Sequence, residues 1–288
     1  MSNDIKSIRV NGLELAYLEA GSGPLIMLLH GFPDTAHGYA GVMPVLAAAG
    51  YRVVAPFLRG YFPSAIPADA DYSARTLGED ALALARALGH ERFILVGHDW
   101  GALAAYAAAS LAPERIARLV TIAIPHPRSI PLDPRLFWRA PHFLLFQFGR
   151  LSEWMVARHD LAYIDHLYAY WSPNWRVPAG EIEAVKAGLR QPGRLRAALG
   201  YYHCLITDAR DPGKLALARR RMVVPTLAFA GGSDGALDVS LYERTPEAFS
   251  GPYEVAIFGR AGHFLHREEP EGFVTRLLGF LGPASAHS

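Results

Sequence analysis

The sequence predicts an α/β fold in which a mostly parallel central sheet is flanked by helices and interrupted by a helical insertion after the sixth strand. Three observations carry this. Short, continuously apolar runs recur at Leu25–Leu29, Arg52–Ala55, Arg92–Val96 and Arg118–Ile124, as expected of strands buried on both faces, with helical stretches between them. That rhythm stops at Pro125, and as far as about Leu217 the chain offers aromatic helical segments but no convincing strand. The strand pattern then returns at Pro225–Ala230 and Tyr253–Phe258.

Taken in order, Arg9–Glu19 reads as a two-stranded hairpin turning at Asn11-Gly12. The first buried strand, Leu25–Leu29, runs into the loop His30-Gly31-Phe32-Pro33-Asp34. A helix over Val42–Ala49, the strand at 52–55, a Pro/Gly/Ala-rich loop over Arg59–Asp71 and a Ser73-capped helix to about Leu88 follow. The strand at 92–96 leads through Gly97-His98-Asp99-Trp100-Gly101 into a small-residue helix, Ala102–Ser110. The insertion is expected to hold helices over Phe137–Phe148, Ser152–Trp171, Gly180–Leu189 and Leu195–Thr207. An amphipathic helix over Glu268–Leu281 closes the fold, and Gly282–Ser288 is expected to fray. The resulting division is a core over 1–127, a helical cap over 128–217 and the rest of the core over 218–288.

Composition narrows the function classes. A net charge of +1 gives no electrostatic case for nucleic acid or an anionic membrane. The apolar runs are too short to span a bilayer, and Met1–Val10 lacks the hydrophobic centre of a secretion signal. The single cysteine, Cys204, rules out an internal disulfide framework and is read as a small core residue. A cytoplasmic protein is the expectation, with a homo-oligomer left open.

The most informative stretch is Gly97-His98-Asp99-Trp100-Gly101. Small residues on both sides of a strand-to-helix corner permit a turn too tight for a Cβ, the geometry of a nucleophile elbow with Asp99 at its tip. The plain alternative is that Asp99 caps the following helix. Asp234, in Gly231-Gly232-Ser233-Asp234-Gly235, and His263, in Gly259-Arg260-Ala261-Gly262-His263-Phe264, also follow strand ends, where active residues collect in open parallel sheets. Asp238 is the nearest competitor of Asp234, and His30 is read as holding its own loop. An aspartate with an ordinary pKa of about 3.9 is already ionised at neutral pH and can attack a saturated carbon, forming an alkyl–enzyme ester. His263, oriented by Asp234, would activate water to hydrolyse that ester. The backbone N–H groups of Phe32 and Trp100 would stabilise the oxyanion.

With these motifs the sequence resembles the epoxide hydrolase branch of the α/β-hydrolase superfamily, over about Ile8 to Leu281. The motifs are His30-Gly31-Phe32-Pro33, Gly97-His98-Asp99-Trp100-Gly101 and Gly262-His263-Phe264. The resemblance implies Asp99 as nucleophile, His263 as base, Asp234 as its orienting acid, and a helical cap between the sixth and seventh strands. It also implies two cap tyrosines that protonate the epoxide oxygen. Tyr202 matches one, and its neighbour Tyr201 would be turned away by about 100° of helix. At the other position, five residues before Gln147, stands His142, whose imidazolium could donate a proton or which could be a solvated or packing residue. The implied reaction opens a largely apolar epoxide with water to a vicinal diol, without metal or cofactor. Haloalkane dehalogenation by the same triad is the second reading, although Phe32 stands where an Asn or Glu would favour it and no arginine follows Asp99 to hold a carboxylate substrate. A small-molecule-binding relative without catalysis is the third.

Overall fold

The computed structural model describes residues 4–130, 140–178 and 180–284. Eight strands form one sheet in the spatial order β1-β2-β4-β3-β5-β6-β7-β8. They are β1 (Lys6–Val10), β2 (Leu13–Ala20), β3 (Leu25–Leu29), β4 (Arg52–Pro56), β5 (Phe93–His98), β6 (Ile116–Ile122), β7 (Thr226–Gly231) and β8 (Tyr253–Phe258). β1 pairs antiparallel with β2, and β2 antiparallel with β4; every other neighbour is parallel. The expected hairpin turns at Asn11 and Gly12, both with positive φ, the backbone that suits a two-residue link between twisted strands. β3, β5 and β7 are buried along their whole length because helices cover both faces, which is why they read as unbroken apolar runs.

Helices α1 (Met43–Ala48), α2 (Ala74–Ala87) and α3 (Trp100–Leu111) cross between the first parallel strands. Ser73 caps α2, its Oγ accepting from the Thr76 N–H at 3.3 Å. α2 lies close against α3: a Cβ on Gly78 would strike the backbone at Ala104 and Ala108, so the alanine-rich face of α3 and a glycine on α2 are matched. The expected loop over 59–71 is pinned rather than loose. Buried Arg59 forms a forked ion pair with Asp80 of α2, at 2.7 and 2.9 Å, and donates to the Asp71 carbonyl at 2.8 Å.

Several expected bounds shift. β6 begins two residues early and ends at Ile122, because Ala123 takes a positive φ of 66° that ends the strand. In the connection from β6 to β7 the regular elements described are all helical, joined by turns and extended stretches. The segment expected over Phe137–Phe148 lies partly outside the described residues, and within them it is a single turn, His142–Leu145, followed by a tighter turn to Phe148. The long helix Arg150–Trp171 is two helices joined at a kink, where His159, Asp160 and Leu161 adopt left-handed backbone. Glu181–Leu189 and Arg194–Arg210 follow, and then Pro212–Ala218, which the apolar periodicity does not announce. The closing helix starts two residues late, at Pro270, and runs to Leu281 as expected; a separate short helix, Leu265–Glu268, precedes it, since Pro270 disfavours helical backbone at Glu269. Of the tail expected to fray, 285–288 lies outside the described residues. Among the described residues no helix is long and apolar enough to cross a membrane.

Removing one partner of the Arg59–Asp80 pair would leave an uncompensated charge in the core. Asp80→Ala should therefore lower the unfolding free energy by about 3–5 kcal/mol in urea denaturation, whereas a loss below 1 kcal/mol would show that the pair does not hold this loop.

Candidate active site

Asp99 is the first residue past β5 and has φ 51° and ψ −117°, a strained conformation for a residue with a Cβ. The glycines around it make the turn. A Cβ on Gly97 would land on the Gly101 carbonyl, one on Gly101 would land on the Leu29 carbonyl, and one on Gly31 would land on the Asp99 carboxylate itself. Asp99 makes no side-chain capping bond to α3, so the capping alternative does not describe it.

The carboxylate instead faces two other loops. Its Oδ1 accepts from the Phe32 N–H at 2.7 Å, and its Oδ2 lies 3.7 Å from His263 Nε2. His263 Nδ1 in turn donates to Asp234 Oδ2 at 2.9 Å, and Asp234 Oδ1 accepts from the Ala236 and Leu237 N–H groups at 2.7 and 3.2 Å. The ends of β5, β7 and β8 thus bring Asp99, Asp234 and His263 together, and all three are buried. Asp238, the alternative acid, accepts from the Ser240 N–H and starts a short turn.

Charge in this buried set is shared. Burial opposes the imidazolium of His263, but the adjoining Asp234 carboxylate and the nearby Asp99 outweigh it and push the pKa up to about 10. Burial alone would likewise raise Asp99. Chiefly through its pairing with His263, together with the nearby His98 and the Phe32 N–H, the group is held below its ordinary value. The resting pair is therefore carboxylate and imidazolium.

The β6–β7 connection supplies the facing wall. On helix Arg194–Arg210 the two adjacent tyrosines diverge. The Tyr201 hydroxyl donates to the Arg59 carbonyl at 2.7 Å, which ties the helix to the core. The Tyr202 ring packs edge-on against Phe32 and Trp100. Burial, with the Asp99 carboxylate adding to it, raises Tyr202 well above the usual phenol value, so it is a phenol at neutral pH. Gln147 donates to the carbonyls of Phe143 and Tyr202, both at 2.9 Å, and so fixes the His142 turn against this helix. His142 is 3 % exposed and packs near Trp171 and Tyr202. A solvated His142 is thereby excluded, and so is an imidazolium at neutral pH, because burial pushes its pKa down to about 4.

Three contributors, Trp171, Ser172 and Glu268, lie outside the sequence motifs. Trp171 ends its helix 4.8 Å, ring to ring, from His263, and its carbonyl accepts from the N–H groups of His263 and Gly235 at 3.0 and 3.2 Å. Ser172 and Glu268 extend this junction: Ser172 Oγ donates to Glu268 Oε1 at 2.7 Å, and Glu268 Oε2 accepts from the Gly262 N–H at 2.9 Å. His98, at the root of the elbow, sits ring against ring with His263 at 4.9 Å. Only the Trp-Ser-Pro punctuation at 171–173 hints at the first two. His30 behaves as read, with Nε2 accepting from the Leu58 N–H at 3.0 Å and Nδ1 set 3.0 Å from the Gly31 carbonyl. Cys204 is half-buried rather than a core residue.

Comparison with known proteins agrees with this architecture. The profile of the alpha/beta hydrolase fold family matches residues 24–270. The chain is 31 % identical over 270 residues to the AB hydrolase superfamily protein YfhM of Bacillus subtilis, covering 91 % of this chain and 92 % of that one. It is 28 % identical over 320 residues to epoxide hydrolase A of Mycobacterium tuberculosis, covering 95 % and 96 %. The crystal structure of epoxide hydrolase A from Mycobacterium thermoresistibile superposes with a TM-score of 0.86 at 26 % identity, over 96 % of this chain and 98 % of that one.

The raised His263 pKa makes stability depend on pH. Its contribution is complete below the unfolded value of about 6.5 and is lost as pH rises towards about 10. Urea denaturation between pH 6 and 10 should show this loss in the wild type and not in His263→Gln; equal pH slopes would refute the coupling.

Proposed function

The chain belongs to the epoxide hydrolase family of the α/β-hydrolase superfamily, and we propose that it opens an epoxide to a vicinal diol through an ester on Asp99. The observation that carries this reading is the division of labour between the two oxygens of Asp99. Oδ1 is engaged by the Phe32 N–H, and Oδ2 is the oxygen on the His263 side. In the proposed reaction Oδ2 attacks an epoxide carbon, the carbon–oxygen bond breaks, and the departing oxygen takes the hydroxyl proton of Tyr202. A phenol held above its usual pKa stays protonated until an alkoxide, a far stronger base, forms beside it.

Esterification removes the charge on Asp99 that helps to hold the proton on His263. The imidazolium then gives that proton up to solvent, and the Tyr202 phenolate takes one back, so the count closes. Neutral His263 takes a proton from water, and the hydroxide adds to the ester carbonyl. The oxyanion develops on Oδ1, already bonded to the Phe32 N–H, with the Trp100 N–H as the proposed second donor. Collapse breaks the bond between the carboxyl carbon and the alkyl oxygen, His263 returns its proton to that oxygen, and as the diol leaves His263 takes the proton of the new Asp99 carboxyl, which restores carboxylate and imidazolium. Asp99 keeps one oxygen from water.

In this reading the helical segment 128–217 is a cap, and the aromatic rings of Phe32, Phe146, Trp171 and Tyr202 favour a largely apolar substrate. His142, neutral at physiological pH, serves as a hydrogen-bond donor to the substrate oxygen rather than as a second acid. A haloalkane substrate is the second reading, favoured by one observation: the buried indole N–H of Trp171 has no partner among the described residues and would suit a departing halide. Halide release from a haloalkane panel, with epoxides left inert, would establish that reading instead.

A single turnover in heavy-oxygen water tests the ester. The first diol should carry light oxygen from Asp99, and heavy oxygen in that product would exclude a covalent path. Tyr202→Phe should lower kcat by about 10²–10⁴, the range for loss of a positioned general acid; an unchanged kcat would remove Tyr202 from the reaction.

A further inference from the structure

Beneath the triad lies a second cluster that the reaction does not use. Asp34 comes from the loop after β3, His98 ends β5, and His266 stands three residues past His263. All three are at most 1 % exposed. Asp34 Oδ2, His98 Nδ1 and both ring nitrogens of His266 have no partner among the described residues, although buried polar atoms are almost always paired. One ligand atom from each residue lies within 4.8 Å of the others, the only such group among the described residues. We propose that Asp34, His98 and His266 bind one divalent transition-metal ion of the zinc class.

The geometry permits it. When no two of three atoms are more than 4.8 Å apart, some point lies within about 2.8 Å of all of them, so a contraction of under an ångström reaches the roughly 2.0–2.2 Å bonds of zinc to nitrogen and oxygen. Two imidazoles and one carboxylate suit zinc, whereas calcium and magnesium want oxygen ligands.

The surroundings orient the donors as an ion needs. His98 Nε2 faces the His263 carbonyl at 3.0 Å, and a carbonyl only accepts, so Nε2 carries the proton and Nδ1 presents its lone pair to the cluster. Asp34 Oδ1 is occupied by the Thr35 N–H at 2.8 Å and Arg267 Nη1 at 3.0 Å, which leaves Oδ2 turned inward. A Cβ on Gly38 would land on Oδ2, so glycine there keeps that oxygen in place.

Charge and access also agree. Beside the cluster the single Arg267 guanidinium serves two carboxylates, Asp34 and Glu181, which leaves local negative charge for a cation to offset. A surface cleft of about 330 Å³, lined by His37, Gly38, Glu181 and Pro270 among others, reaches Asp34 and His266. The ion would tie together the loops that carry Phe32, Asp99 and His263 without entering the reaction, so the proposal stands apart from the choice of substrate.

The test is direct. Chelator-stripped protein is given zinc, desalted, and measured by elemental analysis and by competition with a chromophoric chelator. One equivalent per chain should be retained, and its addition should raise Tm reversibly. Asp34→Asn and His266→Gln should each weaken binding by more than about 100-fold, beyond the 10–100-fold effect of losing an outer-sphere partner. Failure of the wild type to retain zinc would overturn the proposal and leave the cluster to a bound water. Retention unchanged in both variants would overturn it as an adventitious surface ion. Should a variant fail to fold, X-ray absorption of the wild type decides: two imidazoles and an oxygen around zinc support the site, and any other donor set refutes it.

Discussion

Everything at the candidate site depends on one buried ion pair, the Asp99 carboxylate against the His263 imidazolium, 3.7 Å apart. An isolated charge there would neutralise itself, because burial penalises both ions. Each is retained because the other is present and because Asp234 and the Phe32 N–H complete the set. The cost is met by structure elsewhere. Left-handed backbone at Asp99 is tolerated only because three surrounding positions, Gly31, Gly97 and Gly101, have no side chain to collide with it or its neighbours.

The pair must also be held to distance, and this is the work of the β6–β7 connection as much as of the sheet. The end of helix Arg150–Trp171 accepts hydrogen bonds from the backbone on either side of the dyad, at Gly235 and His263. Ser172 and Glu268 then brace the His263 loop from outside. The segment that covers the site is thus stitched to the loops that form it, and Tyr201 anchors its other side to Arg59. Tyr202 is positioned as a consequence of that anchor, since adjacent residues on a helix face different directions.

A charge-paired resting state links the two proposed chemical steps. In that proposal the negative charge that attacks also helps Asp234 to keep the base protonated, so consuming it favours release of the base when water is needed. The same logic separates the two cap residues. Tyr202, buried and within the influence of the Asp99 carboxylate, stays protonated, while His142, buried among aromatic rings, is neutral.

Much of this was legible in the residues themselves. Apolar runs bounded by glycine and proline mark strands covered on both faces, because that burial leaves no polar alternation, and so β3, β5 and β7 stood out. The elbow was legible because only small residues fit a turn where backbone meets backbone. Tyr202 was set apart from Tyr201 by the family resemblance, helix geometry requiring only that the two face different ways. Other features were decided by contacts between residues far apart in the chain. Ala123 ends β6 through its backbone angle, and His159–Leu161 break a helix whose apolar pattern continues through them. The protonation of His142 follows from rings that arrive from three other segments. The bracing by Trp171, Ser172 and Glu268 and the cluster of Asp34, His98 and His266 are invisible in sequence for the same reason: each residue is unremarkable alone, and burial and proximity, which set its charge and its partners, exist only once the chain has folded.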